Sequence, residues 1–225
     1  MDSLAGCLSY RLPQAHLHRI CRQMASGSGL SGAAGCRATL WARGPFSMRT
    51  SSFNDSLVIR PDRETLFYLH GYLQVAGGSL FESSNRPSLS HTLTKLLLDL
   101  HTQGLGTLRE LSGSYLLLLY DGRRSALHLL TDRLASRPLF YASLPGIFLF
   151  ATHLPPLLRA PAVDRALDLP ALAEFLRFSM ILGGRTLYQS VKTVPPATLL
   201  TIDRDGLRFH RYWSLDFDES WGRSR

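Results

Sequence analysis

The residue with the clearest chemical potential in this 225-residue chain is Cys7, in the opening stretch MDSLAGCLSY. A cysteine that becomes the first residue of a mature enzyme can act as a nucleophile, because its own α-amino group serves as the base. A thiol on a first β-strand can equally be a small buried side chain without chemistry. The residues of this stretch leave both interpretations open.

The other cysteines do not form a recognisable reactive site. Cys21 and Cys36 complete a set of three, and their spacing matches neither a zinc knuckle nor a C-x-x-C redox pair. An odd and sparse cysteine count in a chain of this length is typical of a reducing compartment. We therefore expect a cytoplasmic protein without a metal site.

Turn residues divide the second half of the chain into antiparallel hairpins. Asp-Gly or Pro-Gly pairs lie between apolar runs at 121–122, 145–146 and 205–206, and such pairs are strong hairpin signals. Further strands are predicted over 4–10, over CRATLWARG and over TLFYLHGYLQV, the last ending near Gly71. Residues 45–64 carry no clear pattern.

Apolar residues at three- and four-residue spacing predict three helices. The first follows Pro13, the second covers 84–104 with Gly104 as its cap, and the third covers 168–180 with Asp168 as its N-cap. Antiparallel hairpins with a few amphipathic helices between them indicate an α+β domain of layered sheets and helices.

The charge pattern argues against binding to nucleic acid, and the apolar pattern argues against a membrane span. The formal net charge is +8, but the basic residues are scattered, and only Lys95 and Lys192 are lysines. A nucleic-acid footprint would cluster on one face with aromatic residues between the charges. The apolar runs are too short or too interrupted by proline to span a bilayer, and Asp2 stands where a signal peptide needs positive charge.

Two stretches of the second half carry a family pattern. LSGSYLLLLYDGRRSALHLLTDRLASRPLFYA resembles the asparagine synthetase stretch L-x-G-x-F-A-F-A-L-W-D … R-D-R-L-G-I-K-P-L-Y-Y, and TLYQSVKTVPPATLLTIDRDGLRFHRYWSLDF resembles T-L-F-x-G-I-x-K-L-P-P-G-H … R-Y-W-x-L. The opening LAGCL is similar to I-A-G-I-L. Together they resemble the N-terminal class II glutamine amidotransferase domain of asparagine synthetases.

The resemblance implies a fold and a missing half. The fold is the four-layer αββα sandwich of the N-terminal-nucleophile (Ntn) hydrolases, covering 1–217, with 218–225 as a linker stub. In the family this domain frees ammonia from glutamine. A C-terminal ligase domain with an S-G-G-x-D-S loop then activates a carboxylate with ATP and Mg²⁺. That loop does not occur in the 225 residues. We therefore expect no cofactor in this chain, and a C-terminal or separate ATP-dependent ligase domain as its partner.

The resemblance also assigns the site positions, and several are altered. The family's nucleophilic cysteine corresponds to Asp2, whose carboxylate cannot replace a thiol. The Asn-Gly pair that binds the oxyanion corresponds to His70 and Gly71. Thr92 takes the place of the aspartate that holds the substrate ammonium group, and Arg49 that of the arginine that binds the glutamine carboxylate. A further family glutamate, in F-A-S-E-x-K, corresponds to a histidine in FATHLPP.

Three hypotheses follow for the function. The departures favour a degenerate domain without glutaminase activity that serves as a scaffold for a ligase acting on an amino-acid or peptide carboxylate, as in β-lactam synthetases and lasso-peptide cyclases. A second hypothesis is an active glutaminase that uses Cys7 after removal of MDSLAG. The third is a non-catalytic fragment or a stand-alone interaction domain.

Overall fold

Two antiparallel β-sheets stacked face to face form the centre of the computed structural model, which describes residues 3–26, 37–52, 56–75, 80–81, 86–102 and 106–216. In chain order the strands are β1 (Ser3–Leu8), β2 (Arg37–Arg43), β3 (Phe46–Ser52), β4 (Ser56–Ile59), β5 (Thr65–Val75), β6 (Leu80–Phe81), β7 (Leu111–Asp121), β8 (Ala126–Thr131), β9 (Phe140–Leu144), β10 (Ile147–Ala151), β11 (Lys192–Thr193), β12 (Thr198–Asp203) and β13 (Gly206–Arg211).

The described helices all lie between these strands in chain order. They are α1 (Gln14–Ala25), α2 (Arg86–Thr102), α3 (Leu154–Leu158) and α4 (Leu169–Phe178), with a 3-10 helix at Gly106–Glu110. The longest strand pairing joins β5 to β7, from Thr65 opposite Asp121 to Val75 opposite Leu111.

The first sheet has the order β11-β9-β10-β1-β3-β2, and the second has the order β13-β12-β8-β7-β5-β4, with β6 beside β5. Neighbouring strands pair antiparallel throughout both orders. Strand β1 therefore lies inside the first sheet, between β10 and β3, where its backbone is hydrogen-bonded on both sides.

The molecule has four layers, two central sheets with helices outside each of them, and an apolar cluster fills each of the three spaces between the layers. The central cluster lies between the sheets and includes Leu4, Phe46, Tyr68 and Leu200. A second cluster packs α2 against the outer face of the second sheet, and a third packs α1 and α3 against the outer face of the first. Because strand side chains alternate between faces, each sheet contributes to two clusters. This arrangement confirms the predicted α+β, four-layer αββα sandwich.

The local predictions for helices and turns are mostly confirmed. Helix α1 follows Pro13 and buries Leu17, Cys21 and Met24. Asp168 caps α4, since its Oδ1 accepts a hydrogen bond from the Ala171 amide at 3.0 Å. Hairpin turns separate β7 from β8, β9 from β10 and β12 from β13. In the described ranges, the helices are all too short or too polar to cross a bilayer.

Two expectations about the strands need correction. The strand expected to end near Gly71 continues to Val75, because β7 pairs with it along its whole length. Residues 45–64, which carry no clear pattern, contain all of β3 and β4. The proposed cap Gly104 and the linker stub 218–225 lie outside the described residues.

Candidate functional site

The candidate site lies at the end of the sandwich where β1 begins. Two hydroxyl groups are hydrogen-bonded there, Ser3 Oγ to Ser51 Oγ at 2.8 Å. The Leu4 amide donates to Thr152 Oγ1 at 3.0 Å, and the Thr152 amide donates to the Leu4 carbonyl oxygen at 3.0 Å. The beginning of the first strand is thus joined to the residue that precedes α3.

His153 follows as the N-cap residue of α3, and its Nδ1 lies 3.0 Å from Thr152 Oγ1. Partial burial lowers the pKa of His153 below its usual value, because desolvation penalises the imidazolium ion. A neutral ring is also the form that suits a helix N-terminus. Where the family has a glutamate, this position therefore holds a side chain that is neutral near pH 7.

The second sheet contributes His70, which extends from β5 toward the space between the sheets, as its neighbours Leu66 and Tyr68 do. Arg137 Nη1 lies 2.7 Å from His70 Nε2. A guanidinium group can only donate hydrogen bonds, so Nε2 accepts this one, and its lone pair is not available as a base. Arg137 lies just before β9, whose first residue Phe140 pairs with Ala151 beside Thr152. The contact therefore joins β5 to the loop that leads into β9.

Gly71 allows the backbone of β5 to approach this arginine. Its φ is +99°, a conformation that favours glycine. A Cβ at this position would lie 2.1 Å from the Ser114 carbonyl oxygen and 2.5 Å from Arg137 Nε. The structure thus brings His70 and Gly71 together with Arg137. Arg137 was not predicted from the sequence, although its place in SRPLF, at the family's lysine in K-P-L-Y-Y, was an available signal.

Asp132 fixes the turn that carries Arg137. Its buried carboxylate accepts hydrogen bonds from the amides of Tyr115 (3.2 Å), Leu134 (2.9 Å) and Ser136 (3.2 Å), and from Ser136 Oγ. Ala135 in the same turn has φ of +50°, where the family usually has glycine. The turn is therefore a satisfied polar structure that holds the residues around it.

Cys7 lies on the outer face of β1, whereas His70 extends toward the space between the sheets. It is fully buried in the cluster formed with α1 and α3, and its Sγ donates to the Leu17 carbonyl oxygen at 3.3 Å. Burial raises the pKa of the Cys7 thiol far above its usual range, and the nearby Cys21 raises it further. Burial also raises the pKa of Cys21, to about 11. Both thiols are protonated at neutral pH, and a thiol reacts as the thiolate.

The remaining predicted site residues lie apart from His70. Arg49 is on β3 opposite Ala5, two residues from Ser47, and strand alternation places it on the sheet face that α1 covers. Thr92 is on α2, which covers the outer face of the second sheet. Asp2 lies outside the described residues. Within those residues, no three His, Cys, Asp or Glu side chains are grouped to hold a metal ion.

The fold agrees with comparisons to known proteins. The family described as "Glutamine amidotransferase domain" matches residues 80–213, more than half of the chain. The chain therefore belongs to this family, and its two-sheet sandwich is of the Ntn-hydrolase type.

A curated relative is the glutamine-hydrolysing asparagine synthetase 3 of Bacillus subtilis (strain 168), 28% identical over 111 residues, which make up 49% of this chain and 18% of the relative. The domain is thus asparagine synthetase-like, and the aligned part spans less than a fifth of the relative's length.

Two solved structures share the fold. One is the glutamine phosphoribosylpyrophosphate amidotransferase of Bacillus subtilis complexed with ADP and GMP, with a TM-score of 0.56 at 14% identity. The other is described as the allosteric regulatory enzyme of purine biosynthesis, with a TM-score of 0.58 at 13% identity. Each match covers 94% of this chain and 49% of the solved chain.

Proposed function

We propose that this glutamine amidotransferase domain does not hydrolyse glutamine and instead serves as a scaffold for an ATP-dependent, amide-forming ligase domain. The observation that carries the proposal is the position of Cys7. Its thiol is enclosed between β1 and α1, on the face of the first sheet away from His70, in surroundings that keep it protonated. A substrate amide cannot reach it without opening the first sheet and its helix.

The groups at the candidate site support binding rather than covalent chemistry. Arg137 occupies the Nε2 lone pair of His70, and Ser3 Oγ is hydrogen-bonded to another hydroxyl. Neither arrangement activates a nucleophile, because activation requires an adjacent general base or a lowered pKa. The positive charge of Arg137 suits a carboxylate, so an amino-acid or peptide carboxylate is the proposed ligand class.

The proposed partner is a ligase domain, either C-terminal in the same polypeptide or encoded separately. ATP and Mg²⁺ would act there, and the reaction would take place in the cytoplasm. The match to part of an asparagine synthetase supports this partner. An S-G-G-x-D-S segment encoded in frame after codon 225 or in an adjacent gene would support the proposal. Its absence from both would favour the non-catalytic fragment.

Glutaminase assays test the proposal directly. The purified chain is incubated with glutamine, and glutamate and ammonia are measured beside an active amidotransferase. We expect no release above the blank, and the same result for Cys7→Ala. Release that disappears in Cys7→Ala would overturn the proposal and establish the second hypothesis.

The structure provides an argument against that second hypothesis. Exposing Cys7 as a first residue would remove Ser3–Gly6, which pair with Ser51–Met48 of β3 and, from Ala5, with β10. The central strand of the first sheet would then keep only Cys7 and Leu8. Intact-mass measurement of the purified protein checks this point, since a chain that begins at Cys7 would contradict the proposal.

A further inference from the structure

One surface of the molecule carries several exposed apolar side chains. It consists of α4 and the turn after it, Leu169–Leu182, which we call the apolar arm. Of the ten residues of α4, all of them described, only Ala171 is buried. The exposed fraction of Leu176 is 76%, and the other large apolar side chains exposed on the arm are Leu169, Phe175, Phe178, Met180 and Leu182. Contiguous exposed apolar surface of this kind marks interaction sites.

Polar contacts, rather than burial, hold the arm in shape. Asp168 caps the helix. Glu174 accepts a hydrogen bond from the Leu182 amide at 3.1 Å and forms an ion pair with Arg185, so the turn is bonded back onto the helix. Ser179 ends the helix in a left-handed conformation, with its amide bonded to the Phe175 carbonyl oxygen at 2.8 Å. The apolar side chains are therefore presented by a preorganised surface, which lowers the entropic cost of binding.

We propose that the apolar arm is the docking surface for the ligase domain, an inference that rests on the scaffold function proposed above. The arm precedes β11, the edge strand of the first sheet, and β13 is the edge strand of the second. The rings of Tyr141 on β9 and Phe209 on β13 are 5.7 Å apart, so these two edges are stacked on the same side of the sandwich. Residues that follow β13 therefore start from the side that carries the arm.

The charges on the arm indicate which groups a complementary partner surface would carry. Glu174 is neutralised by Arg185, whereas Arg177 is exposed and lies over the Phe178 ring at 5.7 Å. The arm thus presents several large apolar side chains with one cation beside them. A complementary surface is apolar at its centre, with a carboxylate at its rim, since interfaces have an apolar core and a polar rim. A clustered aromatic and aliphatic anchor of this kind supplies most of the affinity of an interface.

Photo-crosslinking of the full-length protein in cells that naturally make it tests the inference. Phe178 is replaced by p-benzoylphenylalanine, the cells are irradiated, and cross-linked peptides are identified by mass spectrometry. We expect peptides of a domain that contains an S-G-G-x-D-S loop, in the same polypeptide or a separate one. Introducing Leu176→Glu should lower their yield at least tenfold.

Leu98→Glu is the matched control. Leu98 is also an exposed helical leucine, with an exposed fraction of 56%, but it lies on α2 in the helical layer of the other sheet. The control should leave the yield of cross-linked peptides unchanged. An equal loss in both variants would indicate a general effect of added charge and would overturn the inference.

Two other results of the cross-linking experiment would also overturn the inference. Cross-links from Phe178 only to a second copy of this chain, with a dimer by light scattering that Leu176→Glu dissociates, would assign the arm to self-association and overturn the inference. The absence of any cross-link would overturn it as well. Failure of the scaffold function is distinguishable, because glutamine hydrolysis by the purified chain contradicts that function whatever the arm binds.

Discussion

Asp132 and Cys7 are both fully enclosed polar side chains, but the fold depends on them to very different degrees. The Asp132 carboxylate satisfies three backbone amides and one hydroxyl. Cys7 makes one weak hydrogen bond and otherwise fills space against α1. Removing the first leaves buried donors without partners, whereas removing the second leaves only a small cavity. The sandwich can therefore persist without a working thiol, while the turn that orders its end cannot be lost.

Asp132→Ala should have the largest effect. Several donors would lose a shared acceptor inside the protein, so we expect the free energy of unfolding to fall by about 3–5 kcal/mol. Urea unfolding followed by circular dichroism measures the loss. Asp132→Asn keeps the shape and one acceptor oxygen and should lose less. A wild-type unfolding midpoint for Asp132→Ala would contradict the view that this turn orders the end of the sandwich.

Gly71→Ala should come next. The new Cβ would meet the Ser114 carbonyl oxygen at 2.1 Å in a backbone conformation with φ of +99°, so β5 and β7 must separate locally. We expect a loss of about 2–3 kcal/mol in thermal or urea unfolding.

Gly206→Ala is the control for Gly71→Ala. Gly206 has φ of +125°, but an added Cβ there would have no atom within 4 Å. It should show the conformational cost alone, about 1 kcal/mol. Equal losses in the two variants would mean that the close approach to Ser114 is not important.

Cys7→Ala should destabilise the protein by only about 1 kcal/mol, since it removes one buried sulfur atom. The thiol itself should resist alkylation in the folded protein. At pH 8 the thiolate fraction of Cys21, with its pKa of about 11, is about one in a thousand, and that of Cys7 is lower still. Peptide mapping after iodoacetamide treatment checks this, with urea-unfolded protein as the control. Rapid labelling of Cys7 in the folded state would contradict its enclosure.

His153→Gln should have the smallest effect and should depend on pH. The folded-state pKa of His153 is lowered, so the unfolded chain binds more protons below about pH 6.5, and the wild type loses stability as pH falls through this region. Above it the histidine costs nothing. The difference in unfolding midpoint between His153→Gln and the wild type should therefore grow in favour of the variant between pH 7.5 and pH 5. A difference that stays constant over this range would contradict the lowered pKa of His153.

Many turns and helix ends were predictable because residues close together in the sequence determine them. The Pro-Gly pair at 145–146 forms the turn between β9 and β10, and Asp168 caps α4 as expected. The family pattern from Leu111 onward specified the layers. Gly71 misled the prediction, since glycine usually ends a strand, whereas here its φ keeps β5 paired beyond it.

The arrangement around the site was less predictable because it depends on contacts distant in sequence. The contact of Arg137 with His70 joins residues 67 positions apart, and spacing along the chain does not reveal it. The face that Arg49 occupies follows from strand alternation in β3, in a region without a clear sequence pattern. The apolar pattern of α4 predicted a helix but did not show that its apolar side chains stay uncovered.

Tyr212 gives the end of the second sheet a mechanical role. Its hydroxyl donates to the Thr131 carbonyl oxygen at 2.8 Å and lies 3.1 Å from the Tyr115 hydroxyl, while its amide donates to the Ala197 carbonyl oxygen at 2.9 Å. This buried ring anchors the chain just after β13. A force applied to the chain at residue 216 would therefore act on the packing of Trp213 and Tyr212 before it acts on the pairing of β13 with β12.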